Sequence, residues 1–135
     1  LRGGQKVKVK VTWKAFGNKV EQGRFVSSVE FDIYDTNPSH EVLLNAIYKA
    51  TNLKSELADF GANAFEIYLW KVIEARLAED RTHTSLSIGD EIEIDGQSYT
   101  CADFGWLKTE NADIKFLPSE YGFGAVYSVQ EKVNS

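Results

Sequence analysis

Between Lys6 and Lys14 the chain alternates without a break, with Val7, Val9, Val11 and Trp13 set against Lys6, Lys8, Lys10, Thr12 and Lys14. Successive side chains of a β-strand point to opposite faces, so this segment has one apolar face and one cationic face. A second alternation follows a loop bounded by Gly17 and Gly23, with Phe25, Val29, Phe31 and Ile33 on one side and Ser28, Glu30 and Asp32 on the other. An antiparallel hairpin is the expected result. One register satisfies both faces: Val9 opposite Phe31 and Val11 opposite Val29 inside, Lys10 opposite Glu30 and Lys8 opposite Asp32 outside.

Asn37-Pro38 reads as a helix start, with Asn37 as the cap and Pro38 at the first helical position, where its missing N–H costs nothing. The helix is expected to run to about Thr51. Leu43, Ala46, Ile47 and Ala50 form an apolar stripe able to cover the inner face of the hairpin. Lys54 to Phe60 reads as one further turn ended by Gly61. A second helix is expected over Ala64 to Glu79, burying Phe65, Leu69, Val72, Ile73 and Leu77 and presenting Glu66, Lys71, Glu74 and Arg76 on its other face. The last third turns to β. Asp95-Gly96 between Glu91–Ile94 and Gln97–Cys101 is a two-residue hairpin turn, which sets Ile92 opposite Tyr99 and Ile94 opposite Gln97 and gathers Ile92, Ile94, Tyr99 and Cys101 on one face. Further strands are expected near Asp113 to Leu117 and Ala125 to Gln130. The expected fold class is α+β, antiparallel β-hairpins packed against two main helices.

The chain has 135 residues, two prolines and no Ser/Gly/Pro-rich linker, so it reads as a single α+β domain over 1–135. Leu1-Arg2-Gly3-Gly4 is expected to be a flexible leader or a cloning remnant and is given no role. A hydrophobic fraction of 43% with 26% charged residues excludes a disordered or low-complexity chain. No apolar run is long enough to cross a bilayer, so no membrane partner is expected. A lone cysteine and no signal-like start point to a reducing compartment, with the cytoplasm as the expected location. The formal net charge of -5 has the wrong sign for a general polyanion binder, although a local basic patch would not show in that sum. The tetrapeptide Ala58-Asp59-Phe60-Gly61 recurs as Ala102-Asp103-Phe104-Gly105, but its flanks differ. The kinase magnesium-binding turn that Asp-Phe-Gly suggests lacks the glycine-rich and catalytic loops that would go with it.

The polar run Asp80-Arg81-Thr82-His83-Thr84-Ser85-Leu86-Ser87 is the most specialised stretch. Arg81 is suited to an anionic group, His83 to proton transfer, and the neighbouring hydroxyls of Thr82 and Thr84 to orienting a ligand. The competing reading is an ordered connector whose hydroxyls satisfy backbone groups. A His83/Cys101 nucleophile pair is the enzymatic alternative, weakened by the placement of Cys101 on an apolar strand face, where a small thiol is inert. No metal is expected, because one cysteine and two histidines fit no zinc spacing and His40 stands far from other ligand types. No catalytic carboxylate pair and no phosphate loop are recognisable, and no cofactor is implied. Aromatic residues reach 13% and crowd the second half, where Tyr68, Trp70, Phe104, Trp106, Tyr121, Phe123 and Tyr127 exceed the needs of one small core.

Residues Arg81 to Asp90, followed by Asp95-Gly96, Tyr99 and Cys101-Ala102-Asp103-Phe104-Gly105-Trp106, resemble a signature of small uncharacterised bacterial, plasmid and phage proteins, and more distantly the carboxyl-terminal motif of YodL-like domains. The resemblance covers about residues 81 to 106. It implies a mobile-element or accessory setting and supplies no catalytic residue. The expected function is non-enzymatic binding of another protein, as a regulator or inhibitor of phage or plasmid type, through a surface combining Arg81, Thr82, His83 and Thr84 with Asp103, Phe104 and Trp106. The first alternative is a nucleic-acid-binding accessory protein using the Lys6–Lys14 face.

Overall fold

The computed structural model describes residues 5–14, 19–20, 23–24, 27–35, 39–52, 63–76, 85–118 and 125–133. In chain order these form strands β1 (Gln5–Trp13), β2 (Lys19–Val20), β3 (Gly23–Arg24) and β4 (Ser27–Asp35), helices α1 (His40–Thr51) and α2 (Ala64–Glu74), and strands β5 (Glu91–Ile94), β6 (Gln97–Cys101), β7 (Trp106–Lys108), β8 (Ala112–Pro118) and β9 (Ala125–Glu131). The fold is α+β. A five-stranded sheet has the order β4-β1-β5-β6-β7, and β2-β3 and β8-β9 are separate two-stranded ribbons. Every pairing is antiparallel.

The first hairpin takes the register its two faces require, with Val9 opposite Phe31, Val11 opposite Val29, Lys10 opposite Glu30 and Lys8 opposite Asp32. The second takes the register set by Asp95-Gly96, with Ile94 opposite Gln97 and Ile92 opposite Tyr99. Asp95 and Gly96 both have positive φ, 47° and 87°, the backbone of a two-residue turn whose twist matches the strands it joins. The hairpins merge where β5 pairs with the free edge of β1, Val9 opposite Ile94 and Val11 opposite Ile92. Alternation then continues across strands, and Val7, Val9, Val11, Trp13, Val29, Phe31, Ile33, Ile92 and Ile94 are all buried in one core.

Helix α1 covers that apolar face with Leu43, Ala46, Ile47 and Ala50, the stripe the sequence predicts, and Leu44 joins them. Its start differs from expectation. The cap is Ser39, whose hydroxyl accepts from the Val42 N–H at 3.2 Å, and the helix begins at His40; Asn37 and Pro38 lie outside the described residues. Ser, like Asn, is a strong cap, and the helix settles on the one nearest its apolar stripe. Helix α2 buries Leu69 and Ile73 and ends at Glu74, short of the expected Glu79. The supposed polar-face residue Glu66 is buried: it completes a capping box with Asn63 and lies 3.9 Å from Lys49 on α1. The extra turn at 54–60, Leu77, Phe25 and Leu1 to Gly4 fall outside the described residues.

A smaller core joins Ala102, Ala112 and Val129 with Ile88, Leu107 and Tyr127, fastening the β8-β9 ribbon to the sheet. Gly89 packs against Tyr127 of this ribbon. Its φ is +99°, and a Cβ there would lie 2.9 Å from Cγ of Tyr127, whereas a Cβ on Gly96 meets nothing within 4 Å. Gly89→Ala therefore adds a clash to backbone strain and is expected to cost about 2–4 kcal/mol, while Gly96→Ala costs only the strain, about 1–2 kcal/mol. Urea unfolding of the two variants measures both; equal losses would mean that Tyr127 moves aside freely.

Candidate functional site

Because β6 follows a fixed turn, Tyr99 and Cys101 emerge on the helix-covered face, and the short link to β7 returns Trp106 opposite Cys101. Helix α1 lies over this corner. Its first residue, His40, shares a hydrogen bond with Tyr99 (Nδ1 to Oη, 2.6 Å), the rings edge to face with centroids 5.6 Å apart. Two turns on, Tyr48 meets Trp106 edge to face at 6.3 Å. Between helix and strands lie two adjoining recesses of about 360 Å³ each, both bordered by Asn45, Gly105 and Trp106. Leu44 lines the first, and Ile88, Cys101 and Ala102 the second. Among the described residues, the charged ones at their borders are Glu41 and Asp103.

The link between β6 and β7 is held firmly. The Ala102 N–H donates to the Gly105 carbonyl at 2.8 Å, and Gly105 has a φ of +73°. The Asp103 N–H donates to the Val129 carbonyl, and Asp103 Oδ1 accepts from the Val129 N–H, both at 2.9 Å. Its Oδ2 accepts from Ser128 Oγ at 3.1 Å and Gln130 Nε2 at 3.3 Å. The Val129 N–H is the main reason the Asp103 carboxyl titrates below its ordinary value; partial loss of water works against this, and the Gln130 and Ser128 bonds add to it. Phe104, at the tip of this fixed turn, is 93% exposed.

Of the residues expected to form the binding surface, Asp103, Phe104 and Trp106 thus come together on one turn, but with different roles. The Asp103 carboxylate faces β9 as a clamp, Trp106 borders the groove, and Phe104 is free. Arg81, Thr82, His83 and Thr84 lie outside the described residues. Cys101 is buried, and burial, reinforced by the charge of Asp90, pushes its thiol up to about 11. That is the opposite of an activated nucleophile. On the other side of the sheet Lys8 and Lys10 are flanked by Glu30 and Asp32 on β4 and by Glu93 and Asp95 on β5 and its turn, around a shallow depression of about 630 Å³. Lys6 pairs with Asp32 at 3.4 Å. The cationic row is thus bracketed by acidic ones. Among the described residues no group of three His, Cys, Asp or Glu is placed to hold a metal ion, and no helix is long and apolar enough to cross a membrane.

Among the groove residues, His40, Glu41, Asn45, Tyr48 and Tyr99 are ones that sequence reasoning does not assign to a site. The signal was present in two halves: an inward Tyr99 from the hairpin register, and a helix covering the inward face. No protein-family model, curated protein or solved structure matches this chain.

Two outcomes follow from the titrating groups. With its thiol buried and pushed up to about 11, Cys101 of the folded protein should be labelled by iodoacetamide far more slowly than a free cysteine and reach the free rate once the chain is unfolded. A carboxyl lowered by folding stabilises the fold above its unfolded value, near 3.8, and loses that contribution as pH falls through the folded value. Asp103→Asn is therefore less stable than wild type at neutral pH, and chemical unfolding curves should show the gap narrowing as the pH is taken below the ordinary carboxylate value.

Proposed function

We propose that this protein acts by non-covalent binding of another protein, with Phe104 as the leading contact and the Trp106 groove beside it as the receiving pocket. The observation that carries this reading is the exposure of Phe104 on a turn already ordered by its own hydrogen bonds. An exposed phenylalanine on a slack loop loses conformational freedom when it docks; on a fixed turn most of that cost is met in folding. Aromatic anchors beside an apolar recess with a polar rim are the usual composition of an interface centre. The resemblance of residues 81–106 to small phage and plasmid proteins suggests where to seek the partner, among the proteins such elements meet in a host cell, and makes a regulator or inhibitor role the specific form of the proposal.

The rival readings have less support. Nucleic-acid binding through the Lys6–Lys14 face asks for a continuous cationic surface, and the acidic rows on both sides of β1 work against it. An enzyme built on Cys101 would start from a thiol with almost no thiolate.

A photo-crosslinking phenylalanine analogue at position 104, placed in the cells that make the protein, should capture a discrete partner. The same analogue at Val133, which is 89% exposed, should not, and Trp106→Ala should reduce capture at 104 by about tenfold or more. Identical capture from 104 and 133, or no effect of Trp106→Ala, would refute the reading.

A further inference from the structure

Strand β4 is an edge of the five-stranded sheet: β1 occupies one side of it, and among the described residues no strand pairs with the other. The direction of its backbone groups follows from β1. Lys8 uses its own N–H and C=O toward β5, donating to Asp95 Oδ1 and accepting from the Asp95 N–H, both at 2.9 Å. In an antiparallel ladder these directions alternate, so Val7, Val9 and Val11 bond toward β4, and their partners Ile33, Phe31 and Val29 bond back. The residues left with outward backbone groups are Ser28, Glu30, Asp32 and Tyr34. They form a regular, bulge-free row along a nine-residue strand paired throughout its length with β1, and Tyr34 is 70% exposed.

Edges of this kind invite pairing, and natural chains guard them with charge. Here the guard is selective. In the three closest antiparallel self-pairings, Glu30 meets Asp32, Glu30 meets Glu30, or Asp32 meets Asp32, so a second copy is repelled. A strand with lysine or arginine at alternating positions is attracted instead. The pattern is already used on the other side of β4, where Tyr34, Asp32 and Glu30 face Lys6, Lys8 and Lys10 of β1. We infer that the outer edge of β4 accepts an extended segment of a partner protein in which basic and apolar residues alternate, by addition of a strand to the sheet. This surface is separate from the Phe104 turn and does not depend on it.

The test uses the whole protein, followed by amide hydrogen exchange and NMR titration with a short peptide of alternating lysine and valine. In the free protein the amides of Glu30, Asp32 and Tyr34 should exchange faster than those of Phe31 and Ile33, and the peptide should selectively protect the first set. The same peptide with glutamate in place of lysine, or with its alternate amides N-methylated, should give no protection. The double variant Glu30→Gln/Asp32→Asn should bind the lysine peptide about fivefold more weakly, while Phe104→Ala binds it normally. No binding, binding without protection of those amides, or equal binding of the glutamate and N-methyl peptides would overturn the proposal. A concentration-dependent dimer protecting the same amides would also overturn it, by giving the edge to a second copy.

Discussion

Strand β5 has only four residues, yet the whole sheet depends on its hold on β1. Two aspartates just beyond its ends secure it. Asp95 accepts the Lys8 N–H, and Asp90 accepts the Lys14 N–H at 2.6 Å and the Ser87 N–H at 2.8 Å. Each carboxylate takes the place of a ladder carbonyl and extends the pairing past the last strand residue. The Lys14 ammonium also bridges to Glu91, closing the same end. Asp90 is completely buried, and a polar group in that setting is stable only while its hydrogen bonds last. Without these two attachments the backbone ladder between the first and second hairpins would be reduced to four residue pairs.

The groove follows from that attachment in steps. Fixing β5 fixes the Asp95-Gly96 turn, hence the phase of β6, hence the emergence of Tyr99 beneath the first turn of α1. The backbone of Cys101 is tied in turn to Gly89 and Asp90, its N–H to the Asp90 carbonyl at 2.8 Å and its carbonyl to the Gly89 N–H at 2.9 Å. A third aspartate, Asp103, then clamps the next turn to β9. All three carboxylates do the same work of holding backbone N–H groups.

What could be read from the residues, and what could not, divides along the range of the interactions. The hairpin registers were legible because alternation on two faces and a two-residue turn each admit one solution. The stripe of α1 was legible because its period belongs to a single helix. The pairing of β1 with β5 was not: it joins residues 79 to 85 positions apart through alternating strands that would suit several neighbours. The cap of α1 was misplaced because Asn37 and Ser39 carry the same local signal and only packing chooses between them. Glu66 read as solvated because periodicity knows nothing of a capping box. At the candidate site the turn residues Phe104 and Trp106 stood out as aromatics in excess of a small core, whereas His40 looked isolated until α1 was laid over β6.

The two surfaces differ in what they recognise, and that difference governs how they would combine. The β4 edge offers backbone groups and so selects an extended segment with little regard for its apolar side chains, using charge for discrimination. The α1 groove offers shape and aromatic area and selects particular side chains. Three inter-strand steps, about 14 Å, separate β4 from β6 across the sheet, and the groove lies under α1 while the edge runs along a strand, so the two surfaces share no residue. Two contacts on one rigid sheet with no shared residue contribute nearly additively. A folded partner that reached both would turn the second contact into an intramolecular one, and would bind far more tightly than either surface alone would suggest.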